Sequence, residues 1–241
     1  MQGVGPEYGF GLYVHWPYCS RICPYCDFNS HVSRSVDQDL WRQSLLTEAG
    51  HMRRLTGPRR ADTVFFGGGT PSLMPPATVA ALIEGIDQLW GLAPGAEITL
   101  EANPTSVEAA RFRDYASAGV NRVSMGVQAL NDPDLKALGR MHSAAEARAA
   151  FDVARRFFKR VSFDLIYARQ NQTLEDWRVE LSSALDMAVD HLSLYQLTIE
   201  EGTAFWDRAQ RGLLKGLPTD DMGADLYELT QELCDSALAM S

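Results

Sequence analysis

Short apolar runs alternate along this chain with longer amphipathic stretches. Gly11–His15, Thr63–Phe66, Glu97–Glu101, Arg122–Val127, Val161–Tyr167 and His191–Leu197 are rich in β-branched and aromatic residues and predict strands. Between them, Val36–Leu55, Thr78–Leu89, Val107–Ala118, Ser143–Phe158 and Leu174–Met187 carry apolar residues at helical spacing, and a last helix is predicted over Asp220–Ala239. Punctuation supports these spans. Thr78–Leu89 follows the pair Pro75–Pro76, and Val107–Ala118 follows the capping text Asn103-Pro104-Thr105-Ser106 and ends at Gly119. Strand–helix units in series predict a parallel sheet with right-handed crossovers. Six units are too few for a closed (β/α)8 barrel, so an open partial barrel and a doubly wound sheet both satisfy the pattern. In either, chemistry is expected at the C-terminal ends of the strands.

Composition narrows the function classes. The chain has 241 residues, 46% of them apolar, enough for a substantial core. A formal charge of −9 argues against a nucleic-acid binder, which would carry a basic face. The N-terminal text lacks a basic segment followed by an apolar one, and no run reaches the roughly 20 apolar residues of a membrane span. A cytosolic protein with reduced thiols is the expectation. The cysteine distribution agrees: Cys19, Cys23 and Cys26 crowd one loop and Cys234 stands far away, which is not a disulfide framework.

The loop His15-Trp-Pro-Tyr-Cys19-Ser-Arg-Ile-Cys23-Pro-Tyr-Cys26-Asp-Phe28 follows the first predicted strand directly. Three thiolates at this spacing can face one centre. Iron–sulfur clusters normally take one cysteine per iron, so three local thiols leave one iron with an open position. A zinc site completed by His15, His31 or Cys234 is the alternative. Trp16, Tyr18, Tyr25 and Phe28 would shield such a centre or serve as ordinary core. Further polar residues recur at predicted strand ends: Gly67-Gly68-Gly69-Thr70-Pro71 after the second strand, then Glu101, Gln128 and Asp164. The glycines let backbone approach a ligand, and the three polar side chains in register read as the lining of one cavity.

The C-x3-C-x2-C loop after a first strand resembles the signature of the radical S-adenosylmethionine superfamily. The wider text, Tyr13-Val-His15-Trp-Pro-Tyr-Cys19 through Cys26-Asp-Phe28-Asn-Ser, resembles the branch of HemW-type heme chaperones and oxygen-independent coproporphyrinogen III dehydrogenases, and the resemblance runs from Gly11 to about Cys234. It implies an α/β core domain over 1–241, a partial (β/α)6 barrel of the TIM type with its cluster loop at 15–31 and βα units from about 11 to 234. It implies a [4Fe–4S] cluster on Cys19, Cys23 and Cys26, with S-adenosylmethionine chelated to the open iron. By position it implies contacts to that cofactor from Tyr13, Gly68, Gly69, Thr70, Glu101, Gln128, Arg140 and Asp164, with Tyr25 against the adenine. The chemistry implied is one-electron cleavage of the C5′–S bond to methionine and a 5′-deoxyadenosyl radical, with no side chain acting as a general base. Implied partners are heme or a porphyrin as cargo or substrate, and an electron donor such as a flavodoxin or ferredoxin.

Departures from the family pattern shape the expectation further. Coproporphyrinogen dehydrogenases carry a fourth cysteine two residues after the third, and Phe28 stands there, which favours the heme-chaperone type. A C-terminal domain with a His-Asn-x-x-Tyr-Trp heme motif normally follows the barrel, and this sequence contains no such motif, so a truncated member is expected. Ala168-Arg-Gln170-Asn-Gln-Thr173 replaces a usual Pro-Gly pair and is expected to disturb the loop after the fifth strand. Alternatives to a heme chaperone are the dehydrogenase itself, a heme or cluster carrier without radical chemistry, and an inactive fragment. Cys234 is expected to be a free buried cysteine in the last helix.

Overall fold

The computed structural model describes residues 9–33, 35–188 and 190–240. Six strands form one parallel sheet: β1 Gly11–Trp16, β2 Ala61–Gly68, β3 Leu92–Ala102, β4 Arg122–Gln128, β5 Arg160–Tyr167 and β6 Leu192–Gln196. Helices α1 Gln38–Thr56, α2 Pro76–Trp90, α3 Ser106–Ala109, α4 Phe112–Ser117, α5 Asp132–Ala137, α6 Ala144–Phe157, α7 Leu174–Met187, α8 Ala204–Gln210 and α9 Asp220–Met240 follow the strands in turn.

The sheet order is the chain order, with each strand beside the next and no reversal. A doubly wound sheet would reverse direction at a switch point, so the partial barrel is the architecture. Repeated crossovers of one hand curl such a sheet with its helices outside. Among the described residues β1 and β6 do not pair, and the barrel stays open between them.

Register assigns each face. Val64 pairs with Ile98, Phe66 with Leu100, Leu100 with Val123, and Val123 with Val161, and all are buried. This convex face packs on Val79, Leu82 and Ile86 of α2, Phe112 and Tyr115 of α4, Phe151 of α6 and Trp177 of α7 in one apolar cluster. Each such large side chain contributes about 1.5–3 kcal/mol on burial. The alternate positions are polar. Thr99 pairs with Arg122, Glu101 with Ser124, Ser124 with Ser162 and Asp164 with Ser193, so the concave face is hydrophilic.

The predicted elements are present with shifted ends. β3 begins at Leu92, before the predicted Glu97, and β2 runs on through Gly67 and Gly68. The predicted Val107–Ala118 helix is two short ones. Thr105 caps α3, Glu108 turns inward to Ser72 and to the Asn103 N–H, and the chain restarts at Phe112. α5 and α8 were absent from the apolar pattern, being only about two turns each. Asn131 and Thr203 cap them by accepting from Asp134 N–H and Trp206 N–H.

The loop after β5 keeps its turn by strained backbone. Ala168 and Asn171, in the stretch without the Pro-Gly pair, both sit at φ 58°. Asn tolerates that region through its short polar side chain. Arg169 between them is buried, and its guanidinium meets Asp134 at 2.7 Å, Glu180 at 2.5 Å and the Ile166 carbonyl.

Candidate metal centre and cofactor cavity

The cysteine loop leaves β1 and is held on both sides. Its backbone pairs Tyr18–Cys19 with His31–Val32, and the His31 N–H donates to the Pro17 carbonyl at 2.7 Å. His15 Nε2 meets the Asn29 carbonyl at 2.9 Å, which ties the far end of the loop to the strand. Trp16, Tyr18 and Trp41 stack edge-to-face with centroids 5.2–6.0 Å apart and fasten the loop's base to α1. From the other side, the Phe205 N–H donates to the Pro24 carbonyl at 2.8 Å.

The glycine run sits directly against this loop. Gly69 N–H donates to the Trp16 carbonyl and Thr70 N–H to the Tyr18 carbonyl. A Cβ on Gly69 would lie 2.8 Å from the Tyr18 oxygen and 3.0 Å from Cys19 Sγ. Gly68 has φ +117° and would place a Cβ 2.7 Å from the Trp16 oxygen. These glycines are required first by the approach of strand end to cysteine loop. The Gly68 N–H then donates to Glu101 at 3.2 Å.

Cys19 is buried, while Cys23 and Cys26 are half-buried, and all are free thiols. Burial pushes the Cys26 thiol up, and the charges of Cys23 and Cys19 add to that shift. Thr70 Oγ1 donates to Cys19 Sγ at 3.5 Å and Arg140 Nη1 to Cys23 Sγ at 3.2 Å. Among the described residues, no three His, Cys, Asp or Glu side chains converge tightly enough for a single ion. Cys234 lies in α9, away from the cavity lining.

The thiols open onto a cavity of about 380 Å³ on the concave face. Tyr25, Gly68, Gly69, Thr70, Glu101, Gln128, Arg140 and Asp164 line it together with the three cysteines. Tyr13 does not line it. It stands on the edge strand with its ring stacked on Phe65 and its hydroxyl 3.1 Å from His15 Nδ1. Gln128 is aimed by a break in register between Met125 and Gln128, where it adopts φ 73°. Two side chains pin that bulge: Arg140 Nη2 donates to the Gly126 carbonyl at 2.7 Å and His142 Nε2 meets the Val127 carbonyl at 3.0 Å.

Asn103, Glu108, Ser124, His142, Tyr195 and Gln196 also line the cavity and were not singled out from sequence. His142 had a signal, two residues beyond Arg140. Ser124 had one as well, in its alternation with Gly126 on β4. Asn103 and Glu108 had none, because their text reads as a helix cap.

The electrostatics suit a cationic ligand. Burial raises Glu101 to about 7, with the charge of Asp164 adding to the rise and the Gly68 N–H opposing it. Burial raises Asp164 to about 6, against the opposing effects of Ser193, Arg140 and Arg122. Burial first, then Arg140, lowers His142 to about 4, so its imidazole is neutral at pH 7. Arg140 spends both terminal nitrogens on Cys23, Asn103 and Gly126, and its Nε is buried without a partner. The donor set therefore fits a thiolate-held cluster beside a ligand with cationic and carboxylate groups.

Residues 13–182 match the family model of the Radical SAM superfamily, and the chain belongs to that superfamily. Over the barrel its sequence is HemW-like: it is 41% identical over 232 residues to the heme chaperone HemW of Haemophilus influenzae, covering 94% of this chain and 59% of that protein. It is 47% identical over 218 residues to the mouse protein named radical S-adenosyl methionine domain-containing protein 1, mitochondrial, covering 90% of this chain and 49% of that one. The solved structure of HemN, the coproporphyrinogen III oxidase of Escherichia coli, superposes with a TM-score of 0.82 at 27% identity, covering 97% of this chain and 54% of that chain. The chain spans about half to three-fifths of the length of these relatives. Among the described residues, no helix is long and apolar enough to cross a membrane.

Proposed function

We propose that this barrel binds a [4Fe–4S] cluster on Cys19, Cys23 and Cys26, binds S-adenosylmethionine in the adjoining cavity, and serves a HemW-like heme chaperone. The observation that carries the reading is the convergence of three free thiols, the Gly68-Gly69-Thr70 backbone and the Glu101–Asp164 pair on one cavity. When bound, the reduced cluster would supply one electron and S-adenosylmethionine would accept it, its C5′–S bond being the one cleaved.

The chain's own residues bind, orient and exclude water. Gly69 and Thr70 bring backbone beside Cys19, and main-chain groups there would adjoin a ligand held next to that thiol. Glu101 and Asp164 offer carboxylates to ammonium, sulfonium or ribose hydroxyl groups. Gln128, aimed by its bulge, supplies an amide. Tyr25 provides an aromatic wall, and burial holds its phenol protonated, with Arg140 opposing that rise and Cys23 adding to it. Arg140 brings its guanidinium charge to the cavity wall for a carboxylate. Tyr13, which stands outside the cavity lining, is given no contact to the cofactor in this reading.

The HemW relatives, named heme chaperones, support heme as cargo, and a small reduced protein as electron donor is part of the same proposal. The dehydrogenase reading needs a fourth cysteine where Phe28 stands. The test is anaerobic reconstitution with an iron and sulfide count and EPR of the reduced protein with and without S-adenosylmethionine. About four irons per chain and a spectrum that changes on addition are expected. Zinc in place of iron, or a spectrum indifferent to S-adenosylmethionine, overturns the reading.

A further inference from the structure

We propose that Asn103 is a positioning residue that ties the hydrogen bonds of two cluster thiolates into one unit and so sets the cluster's reduction potential and retention. The inference rests on the cluster reading above.

The geometry carries it. Asn103 Oδ1 accepts from Arg140 Nη2 at 2.6 Å, and the other terminal nitrogen of the same guanidinium donates to Cys23 Sγ at 3.2 Å. Asn103 Nδ2 donates to Thr70 Oγ1 at 3.4 Å, and the Thr70 hydroxyl donates to Cys19 Sγ at 3.5 Å. One amide thus fixes the direction of two donors on two different sulfurs. The hydroxyl has a single hydrogen. Because Asn103 occupies its oxygen as a donor, that hydrogen is free to point at Cys19.

The amide is itself fixed by a buried carboxylate. Glu108 accepts from the Asn103 backbone N–H at 2.7 Å and from the Ser72 hydroxyl. Thr105 caps the short helix that carries Glu108, accepting from its N–H at 3.3 Å. The break between α3 and α4 has a consequence here, since it leaves Glu108 pointing under Asn103 and not along a longer helix.

Hydrogen bonds to thiolate sulfur stabilise the more negative, reduced cluster and raise its potential, and partners beyond the ligands govern how firmly a metal is held. Losing the Asn103 amide frees Arg140 and Thr70 to turn from the sulfurs. The reduced state then loses more than the oxidised state does.

The test uses the full chain, reconstituted anaerobically, with the midpoint potential read by EPR-monitored redox titration without S-adenosylmethionine. Cluster loss to an iron chelator is followed by absorbance. Asn103→Leu is expected to lower the potential and to speed cluster loss by about 10- to 100-fold. Asn103→Asp keeps the acceptor for Arg140 but turns the Thr70 hydroxyl toward itself, and is expected to fall between Asn103→Leu and wild type. Thr70→Val removes the Cys19 bond directly, and adding Asn103→Leu to it should produce less than the sum of the two shifts. A reconstituted Asn103→Leu protein with wild-type potential and wild-type cluster lifetime overturns this proposal alone. Strictly additive shifts overturn the linkage through Thr70. A wild-type chain that takes up no cluster overturns the underlying reading and this proposal together.

Discussion

At the scale of single residues, the acidic pair on the concave face makes ligand binding depend on pH in a definite direction. Glu101 is raised to about 7 and Asp164 to about 6, so lowering the pH from 8 to 6 protonates Glu101 first. A sulfonium or ammonium group is held by the ionised form. Affinity for S-adenosylmethionine, measured by calorimetry on the reconstituted chain, should therefore fall across that interval. Glu101→Gln should flatten the dependence and weaken binding about tenfold at pH 8, the usual loss for one charge-assisted bond. Stability of the empty protein runs the other way. The folded state keeps protons on these carboxyls that the unfolded chain has released, so it loses stability as pH rises from about 4.3 to 7. At the same scale, Gly69→Ala should abolish iron uptake while leaving the circular dichroism spectrum native, since its Cβ collides with the Tyr18 carbonyl and Cys19 Sγ. The cysteines were legible by their spacing, the glycines, Glu101 and Gln128 because they stand at strand ends, and Asp164 because it interrupts the apolar run of β5. Asn103 and Glu108 were not. Their roles depend on a helix that stops early, and local text does not encode which way a half-turn will face.

At the scale of elements, the pattern of apolar residues was sufficient for all six strands, because both periodicity and β-branching mark them. It missed α5 and α8, which are too short to build a period and exist through their caps and their packing over the cysteine loop. The corner after β5 is the instructive case. Ala168 and Asn171 sit in the left-handed region, and Arg169 between them is locked by Asp134 and Glu180. Two opposite outcomes follow. Ala168→Gly should relieve about 1 kcal/mol of backbone strain and raise Tm by a few degrees in a thermal melt. Arg169→Ala should lower stability by about 3–5 kcal/mol in denaturant unfolding, because it strands the buried Glu180 carboxylate. An unchanged Tm in the first variant would show that the turn carries no strain at Ala168.

At the scale of the whole molecule, in-register pairing sorts the chain into an apolar convex face and a polar concave one, and the site is the mouth of the concave face. A closed barrel fills its interior with layers of apolar side chains. Here Thr99, Arg122, Ser124, Ser162 and Asp164 occupy those positions, and the sheet stays open between β1 and β6. Hydrophilic lining and an open edge together make room for a ligand, but only a limited one. At about 380 Å³ the cavity lies near the lower end of small-molecule sites, a size for one nucleoside-based cofactor and not for a tetrapyrrole beside it. Heme carried by this barrel must then bind outside the cavity, so heme and S-adenosylmethionine should not compete. Titrating heme into the reconstituted chain should leave the S-adenosylmethionine-induced EPR change in place, and saturating S-adenosylmethionine should not displace heme. Mutual displacement would place both in one cavity and contradict the volume argument. A chain that binds S-adenosylmethionine but no heme would assign the cargo site to regions that the longer relatives possess beyond this barrel.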